Sequence, residues 1–249
     1  RDGGNKSGVP TTFGQTLFDP GYMGKSLVFV TALGIMPQQV AARPSHEKKT
    51  SPGDLIIMSG GRVGKDGIHG VTASSESYSE NTPAGHVQIG DPYTQKKMHD
   101  FLLECRDEGL IRFITDNGGG GLSSSIGESA MISNGCVVHL DKVPLKYPGL
   151  DMWEIWVSES QERMTIAIDP EDLDRFMDLS RQHAVESTVI GKYTDTGKLH
   201  ITFQGETCAY VDMDLLDKGF PAWEFDAVWL PPEARGLCEP VIRCPKDFN

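Results

Sequence analysis

Blocks of apolar and polar positions follow one another along this chain, and the spacing inside each block predicts an element. Residues 27–33 (LVFVTAL) and 55–58 are continuous apolar runs of strand length and predict two buried strands. After Asp91-Pro92 the period changes. Met98, Phe101, Leu102 and Cys105 recur at i, i+3, i+4 and i+7, one face of a helix with Asp91 as cap, Pro92 at its first position and Gly109 at its end. Residues 110–115 and 137–140 return to strand. Residues 151–157 predict a short helix with Trp153, Ile155 and Trp156 turned inward. Residues 162–168 alternate, with Met164, Ile166 and Ile168 on one face, and predict a half-buried strand. Asp169-Pro170 repeats the helix start, and Leu173, Phe176 and Met177 supply that helix's face. Three more strands are expected at 185–190, 199–203 and 207–211, parted by the turns Asp195-Thr196-Gly197 and Gln204-Gly205-Glu206.

Alternating helices and strands, with both crossover and hairpin connections, predict an α/β (α+β) fold: a mixed β-sheet with helices packed on it. The pattern is regular from about residue 54 to 215. A turn-rich stub precedes it, and residues 221–249, with five prolines and two tryptophans, read as a linker or tail. The length of 249 residues, 38% hydrophobic and 23% charged, suits an ordinary globular protein. A net charge of −12 argues against a general nucleic-acid or anionic-membrane binder, and no apolar run reaches membrane-helix length. It leaves room for an anionic small molecule held through Mg²⁺. Five scattered cysteines contain no C-x-x-C pair; free thiols are expected, with Cys238 and Cys244 the one conceivable pair.

The candidate chemistry centres on Asp116-Asn117-Gly118-Gly119-Gly120-Gly121, where a strand ends in an acid and gives way to bare backbone and a helix start. Four consecutive glycines are costly to order, so the geometry needs positive φ or a close approach. Helix N-terminal N–H groups suit an anion, and an acid beside them suits the metal that carries it. A flexible turn, with Asp116 as its cap, is the plain alternative. Gly60-Gly61-Arg62-Val63-Gly64-Lys65-Asp66-Gly67 lacks the P-loop order, because Asp66 follows the lysine, and the dinucleotide fingerprint fails as well. Gln88, just before a helix start, and the polar run Ser158-Glu159-Ser160-Gln161-Glu162-Arg163 are either surface turns or ligand contacts. His69 and His139 read as a loop residue and a packed strand residue.

Taken together, four ordered stretches resemble the phosphoribosylformylglycinamidine synthase family. They are Gly8-Val9-Pro10-Thr11 with Phe18-Asp19; Gly61 through Gly70; Val87-Gln88-Ile89-Gly90-Asp91-Pro92; and Ser158 through Met164. The Asp116 run is similar to the family's acid-x-glycine-small-small-glycine-leucine motif, departing at Asn117, Gly119 and Gly120, where many members carry an apolar residue and alanines. The resemblance implies an ATP-dependent ligase of purine biosynthesis, cytoplasmic. ATP phosphorylates the formyl-amide oxygen of formylglycinamide ribonucleotide, and ammonia from a glutaminase domain or subunit displaces the phosphate. It implies that residues 1–40 end an N-terminal synthetase-like domain and that 41–220 form a C-terminal one like that of aminoimidazole ribonucleotide synthetase. Residues 221–249 would lead to a second half. It assigns Gln88, Glu159, Ser160 and Gln161 to substrate and Asp116 to Mg²⁺. The family's catalytic histidine and ATP lysine would lie upstream, so no catalytic residue is expected here and the chain alone should not turn over. Two rivals remain at this point: a selenophosphate or aminoimidazole ribonucleotide synthetase relative, and a non-catalytic nucleotide-binding or scaffold domain.

Overall fold

A computed structural model describes residues 7–24, 26–76, 84–219 and 222–236. The chain divides into two compact units, residues 1–217 and 218–249. In the second, Trp223 stacks on Phe225 at 5.8 Å between ring centroids, and Pro232–Arg235 forms a 3-10 turn. Cys238 and Cys244 lie outside the described residues.

The first unit opens with a small hairpin, β1 (Gln39–Val40) and β2 (Arg43–Pro44), and is built on one seven-stranded sheet. Its strands are β3 (Leu55–Gly60), β4 (Phe113–Asp116), β5 (Cys136–His139), β6 (Arg163–Ile168), β7 (Ser187–Tyr193), β8 (Lys198–Phe203) and β9 (Glu206–Asp212). They lie in the order β4-β6-β3-β7-β5-β8-β9, and every neighbouring pair is antiparallel except β5–β8. The sheet is therefore mixed, as the connections predict. The helices are α1 (Gly70–Ser74), α2 (Pro92–Asp107), α3 (Gly121–Ser133), α4 (Met152–Val157), α5 (Leu173–Gln182) and α6 (Met213–Lys218).

Two cores follow from strand alternation. Ile56 and Met58 of β3 face one way, into a cluster with Leu122 and Ile126 of α3, Ile155 of α4 and Val138 of β5. Ile57 faces the other way, with Ile166 and Ile168 of β6, Met98, Phe101 and Cys105 of α2, and Phe176 and Leu179 of α5. Phe101 meets Phe176 edge to face at 5.1 Å. Fully burying a side chain of this size contributes about 1.5–3 kcal/mol. The Asp-Pro starts work as read: Asp91 accepts from the Tyr93 N–H, and Asp169 from the Glu171 N–H, although residues 170–172 form a 3-10 turn before α5 begins. Gly109 ends α2 at φ +75°.

Three expectations are corrected. Residues 27–33 form no strand: they carry no regular secondary structure and are exposed, Leu27 by 57% and Leu33 by 96%. The run is apolar enough to be a strand, but none among the described residues pairs with it. Trp153 is not inward but half exposed, whereas Ile155 is buried and Trp156 partly so, because a six-residue helix offers one narrow face to the core. β6 is not half-buried. It lies between β3 and β4, and Arg163, Thr165 and Ala167 on its second face are buried as fully as Ile166 and Ile168.

Candidate functional site

The glycine run, the Gly60–Gly70 loop, Gln88 and the 158–163 loop converge at one end of the sheet. Glu159 holds them together. One carboxylate oxygen, Oε1, accepts from the Gly120 N–H at 3.0 Å, and Oε2 accepts from the Val71 N–H at 3.0 Å and Gln88 Nε2 at 2.7 Å. The residue is only 3% exposed. An anion does sit at the N-terminus of α3, and it is the protein's own carboxylate; this placement is favoured by the helix dipole and satisfies a backbone donor of the capping residue. The glycines permit the approach. Gly120 and Gly121 have φ of +75° and +60°, and a Cβ on Gly121 would lie 2.1 Å from the Ser158 carbonyl oxygen.

Ser160 and Ser158 tie the same loop to the Gly60–Gly70 segment. Ser160 Oγ accepts from the Gly64 N–H at 3.0 Å and donates to Asp66 at 2.8 Å; Ser158 Oγ donates to the Gly64 carbonyl at 2.7 Å. Asp66 in turn receives both of its oxygens' ion-pair contacts from Lys146, at 2.8 and 2.9 Å. Burial would raise the Asp66 pKa, but the hydrogen bonds from Lys146 and Ser160 and the Lys146 charge outweigh it and hold the carboxyl below its ordinary value. Lys65, which a phosphate cradle would aim at its ligand, pairs with Glu154 at 2.9 Å. Beneath the loop, buried Arg163 donates to the carbonyls of Ser158 and Ser160. Burial pulls its pKa down to about 10, with the Asp66 charge opposing.

Beside this knot lies a cavity of about 290 Å³, walled by Asp116, Asn117, Gln161, Gln95, Met98 and Met164 among others. Asp116 is exposed at the end of β4 and accepts from the Gly118 N–H at 3.0 Å through Oδ2, which leaves Oδ1 without a protein donor among the described residues. Gln161 donates from Nε2 to the Glu159 carbonyl at 2.7 Å. A second, more apolar cavity of about 600 Å³ lies between the β1–β2 hairpin and α2, and it holds none of the predicted site residues.

The structure thus joins Gln88 to Glu159 directly and brings Asp116, Ser160 and Gln161 to one cavity, with the Ser160 hydroxyl engaged by Gly64 and Asp66. His69 caps α1 in a left-handed conformation, and His139, at the end of β5, bonds Thr202 at 2.7 Å. Cys105 and Cys136 are buried free thiols pushed up to about 12, chiefly by burial, which removes them as nucleophiles. In the sequence Asp66 and Lys146 carry no sign of their role, and Arg163 stands out only as a member of the polar run 158–163. Its placement at the start of an apolar strand is the signal that could have found it, since a charge there must find buried partners.

The family model "AIR synthase related protein, C-terminal domain" matches residues 51–204. The chain belongs to this family. Its match begins just before β3 and ends after β8, so it contains the whole knot around Glu159. Over 242 residues the chain is 37% identical to phosphoribosylformylglycinamidine synthase subunit PurL of Ignicoccus hospitalis, covering 93% of this chain and 33% of that protein. The corresponding subunit of Methanothermobacter thermautotrophicus is 39% identical over 221 residues, 86% of this chain and 30% of that protein. Among solved structures, T. maritima PurL complexed with FGAR aligns with a TM-score of 0.66 and 32% identity, covering 74% of this chain and 31% of that one. The chain therefore spans about a third of the length of the curated relatives it matches. None of the helices among the described residues is long and apolar enough to cross a membrane.

Proposed function

We propose that this AIR-synthase-type domain is the part of a phosphoribosylformylglycinamidine synthase that holds formylglycinamide ribonucleotide during its ATP-dependent amidation by glutamine-derived ammonia in the cytoplasm. The observation that carries the reading is the meeting of Gln88, Asp116 and the Glu159–Gln161 loop around one end of the sheet, in a chain 32% identical to a PurL whose structure holds FGAR. ATP is taken from the same source, since the T. maritima PurL is also known in complex with ATP.

The roles divide by exposure. Gln161 and Gln88 present amides that orient a ligand; among the described residues Gln161 Oε1 has no protein donor. Glu159 and Ser160 act through the frame, fixing the loop from which those amides are offered. Among the described residues no three His, Cys, Asp or Glu side chains form a metal cage. A Mg²⁺ site built on Asp116 would thus be a single-carboxylate one, completed by phosphate oxygens and water, as hard cations commonly are beside nucleotides. The free Oδ1 of Asp116 fits that role, and the ion would supply neutralisation of phosphate charge. The test is thermal shift of the protein with formylglycinamide ribonucleotide against ADP. A rise in Tm with the ribonucleotide supports the reading; a rise with ADP alone favours a nucleotide-binding scaffold.

A further inference from the structure

We infer that Glu162 reads the sugar of the ligand in the 290 Å³ cavity, accepting from its two vicinal hydroxyls. The inference rests on the proposed substrate and deepens it, by saying which part of the ribonucleotide meets which side chain. Glu162 lines the cavity and is partly buried, and among the described residues no hydrogen bond or ion pair reaches its carboxylate. Its backbone is fixed where a side chain is disfavoured: φ is +56°, in the left-handed region, which costs an L-residue free energy and glycine almost none. Glycines around it make the room. The Glu162 carbonyl accepts from the Gly61 N–H at 2.9 Å, and a Cβ on Gly60 would lie 2.2 Å from that same oxygen. A Cβ on Gly90 would lie 3.2 Å from the carboxylate oxygen Oε1. The end of β3, the segment after Gln88 and the 158–163 loop therefore converge on this one residue and hold its carboxylate beside Gln161.

The chemistry of the wall says what it selects. Asp116 Oδ1, Gln161 Oε1 and the Glu162 carboxylate are acceptors without a protein donor among the described residues. Arg163, the only lysine or arginine in the lining, is buried beneath the loop and spent on the Ser158 and Ser160 carbonyls. A wall of this kind favours O–H and N–H donors and repels an anion. Of the groups on formylglycinamide ribonucleotide, the phosphate is therefore the one that Glu162 turns away. The ribose diol suits it best, because two adjacent O–H donors meet two carboxylate oxygens at once, whereas an amide N–H engages one. A ligand that lacks one of those hydroxyls leaves a carboxylate oxygen unpaired in the occupied cavity, which is how a polar site discriminates.

The experiment titrates formylglycinamide ribonucleotide and its 2′-deoxyribose analogue into the full-length protein and into its Glu162→Ala and Glu162→Gly variants, with melting curves alongside. Both substitutions remove the carboxylate. Glycine also suits the left-handed backbone, so the glycine variant decides if the alanine variant folds poorly. The wild type should bind the analogue about tenfold more weakly than the parent, and the variants should bind both ligands at that weaker level, equal within about twofold. The Tm of Glu162→Gly should stay within about 3 °C of wild type. The role of Glu162 is overturned by a wild type indifferent to the missing hydroxyl, or by a penalty for the analogue that persists in the variants. Variants that bind the parent as tightly as wild type overturn it too, as does a Tm for Glu162→Gly many degrees lower, which would make the side chain a prop of the fold. Each of these leaves the proposed substrate standing. Failure of the wild type to bind the ribonucleotide overturns both.

Discussion

Replacing Glu159 by glutamine is the most informative perturbation of the knot. The carboxylate accepts three hydrogen bonds, from Val71 N and Gln88 Nε2 on Oε2 and from Gly120 N on Oε1. A glutamine has one oxygen. Its better orientation keeps the two donors on the Oε2 side and turns its NH₂ toward the Gly120 N–H, donor against donor. One hydrogen bond to a charged group is lost, worth about 1.5–3 kcal/mol. The negative charge at the start of α3 disappears as well, worth about 0.3–1 kcal/mol. The sum is a loss of about 2–4 kcal/mol, or a Tm drop of roughly 4–16 °C for a domain of this size. Urea unfolding of wild type and Glu159→Gln, read by far-UV circular dichroism, measures it as a lower midpoint at unchanged m. A loss below about 0.5 kcal/mol would refute the reasoning, because a carboxylate that can be neutralised so cheaply is not holding three segments together.

The acid limb of stability should report on Asp66. Its folded pKa is held below the unfolded value, so its contribution is full above about pH 4 and is lost as the pH falls through the lower folded value. Lys146→Met removes the principal lowering partner and should move the acid-unfolding midpoint to higher pH; an unchanged midpoint would show that the Lys146–Asp66 pair is idle. Asp116→Asn keeps the shape and loses the charge that a hard cation prefers. In the full-length protein it should raise the Mg²⁺ requirement and lower turnover more than about tenfold, a loss above roughly 1.4 kcal/mol; unchanged activity across a Mg²⁺ titration would return Asp116 to the role of a cap for Gly118.

Local signals in the sequence match the fold where the cause is local. Asp91-Pro92 and Asp169-Pro170 start helical segments because a carboxylate cap and a proline act within four residues. The apolar run at 27–33 misled because composition says that a segment wants burial and says nothing about which strand will bury it. β6 misled in the opposite direction: Thr165 and Arg163 look like an exposed face until β3, β4 and α3 close over them. At the candidate site, the sequence brings Gln88, Asp116 and the 158–163 run forward, and the contacts that join them are not legible in it. Glu159 meets partners 39, 71 and 88 residues away, and no spacing rule reaches that far. The burial of Asn117 is visible only once Thr165 and Ser125 are placed beside it.

The central claim is that the loop carrying Gln161 reads the ribonucleotide substrate, and calorimetric titration of Gln161→Ala tests it most directly. Gln161 lines the cavity, and among the described residues its side chain's one hydrogen bond is to the neighbouring Glu159 carbonyl, so removing it should disturb the ligand far more than the fold. In the full-length protein, formylglycinamide ribonucleotide binding should weaken by about 1–3 kcal/mol, with ATP affinity and Tm nearly unchanged. Equal loss of ATP and ribonucleotide binding, or a Tm drop of many degrees with ribonucleotide affinity intact, would contradict the account.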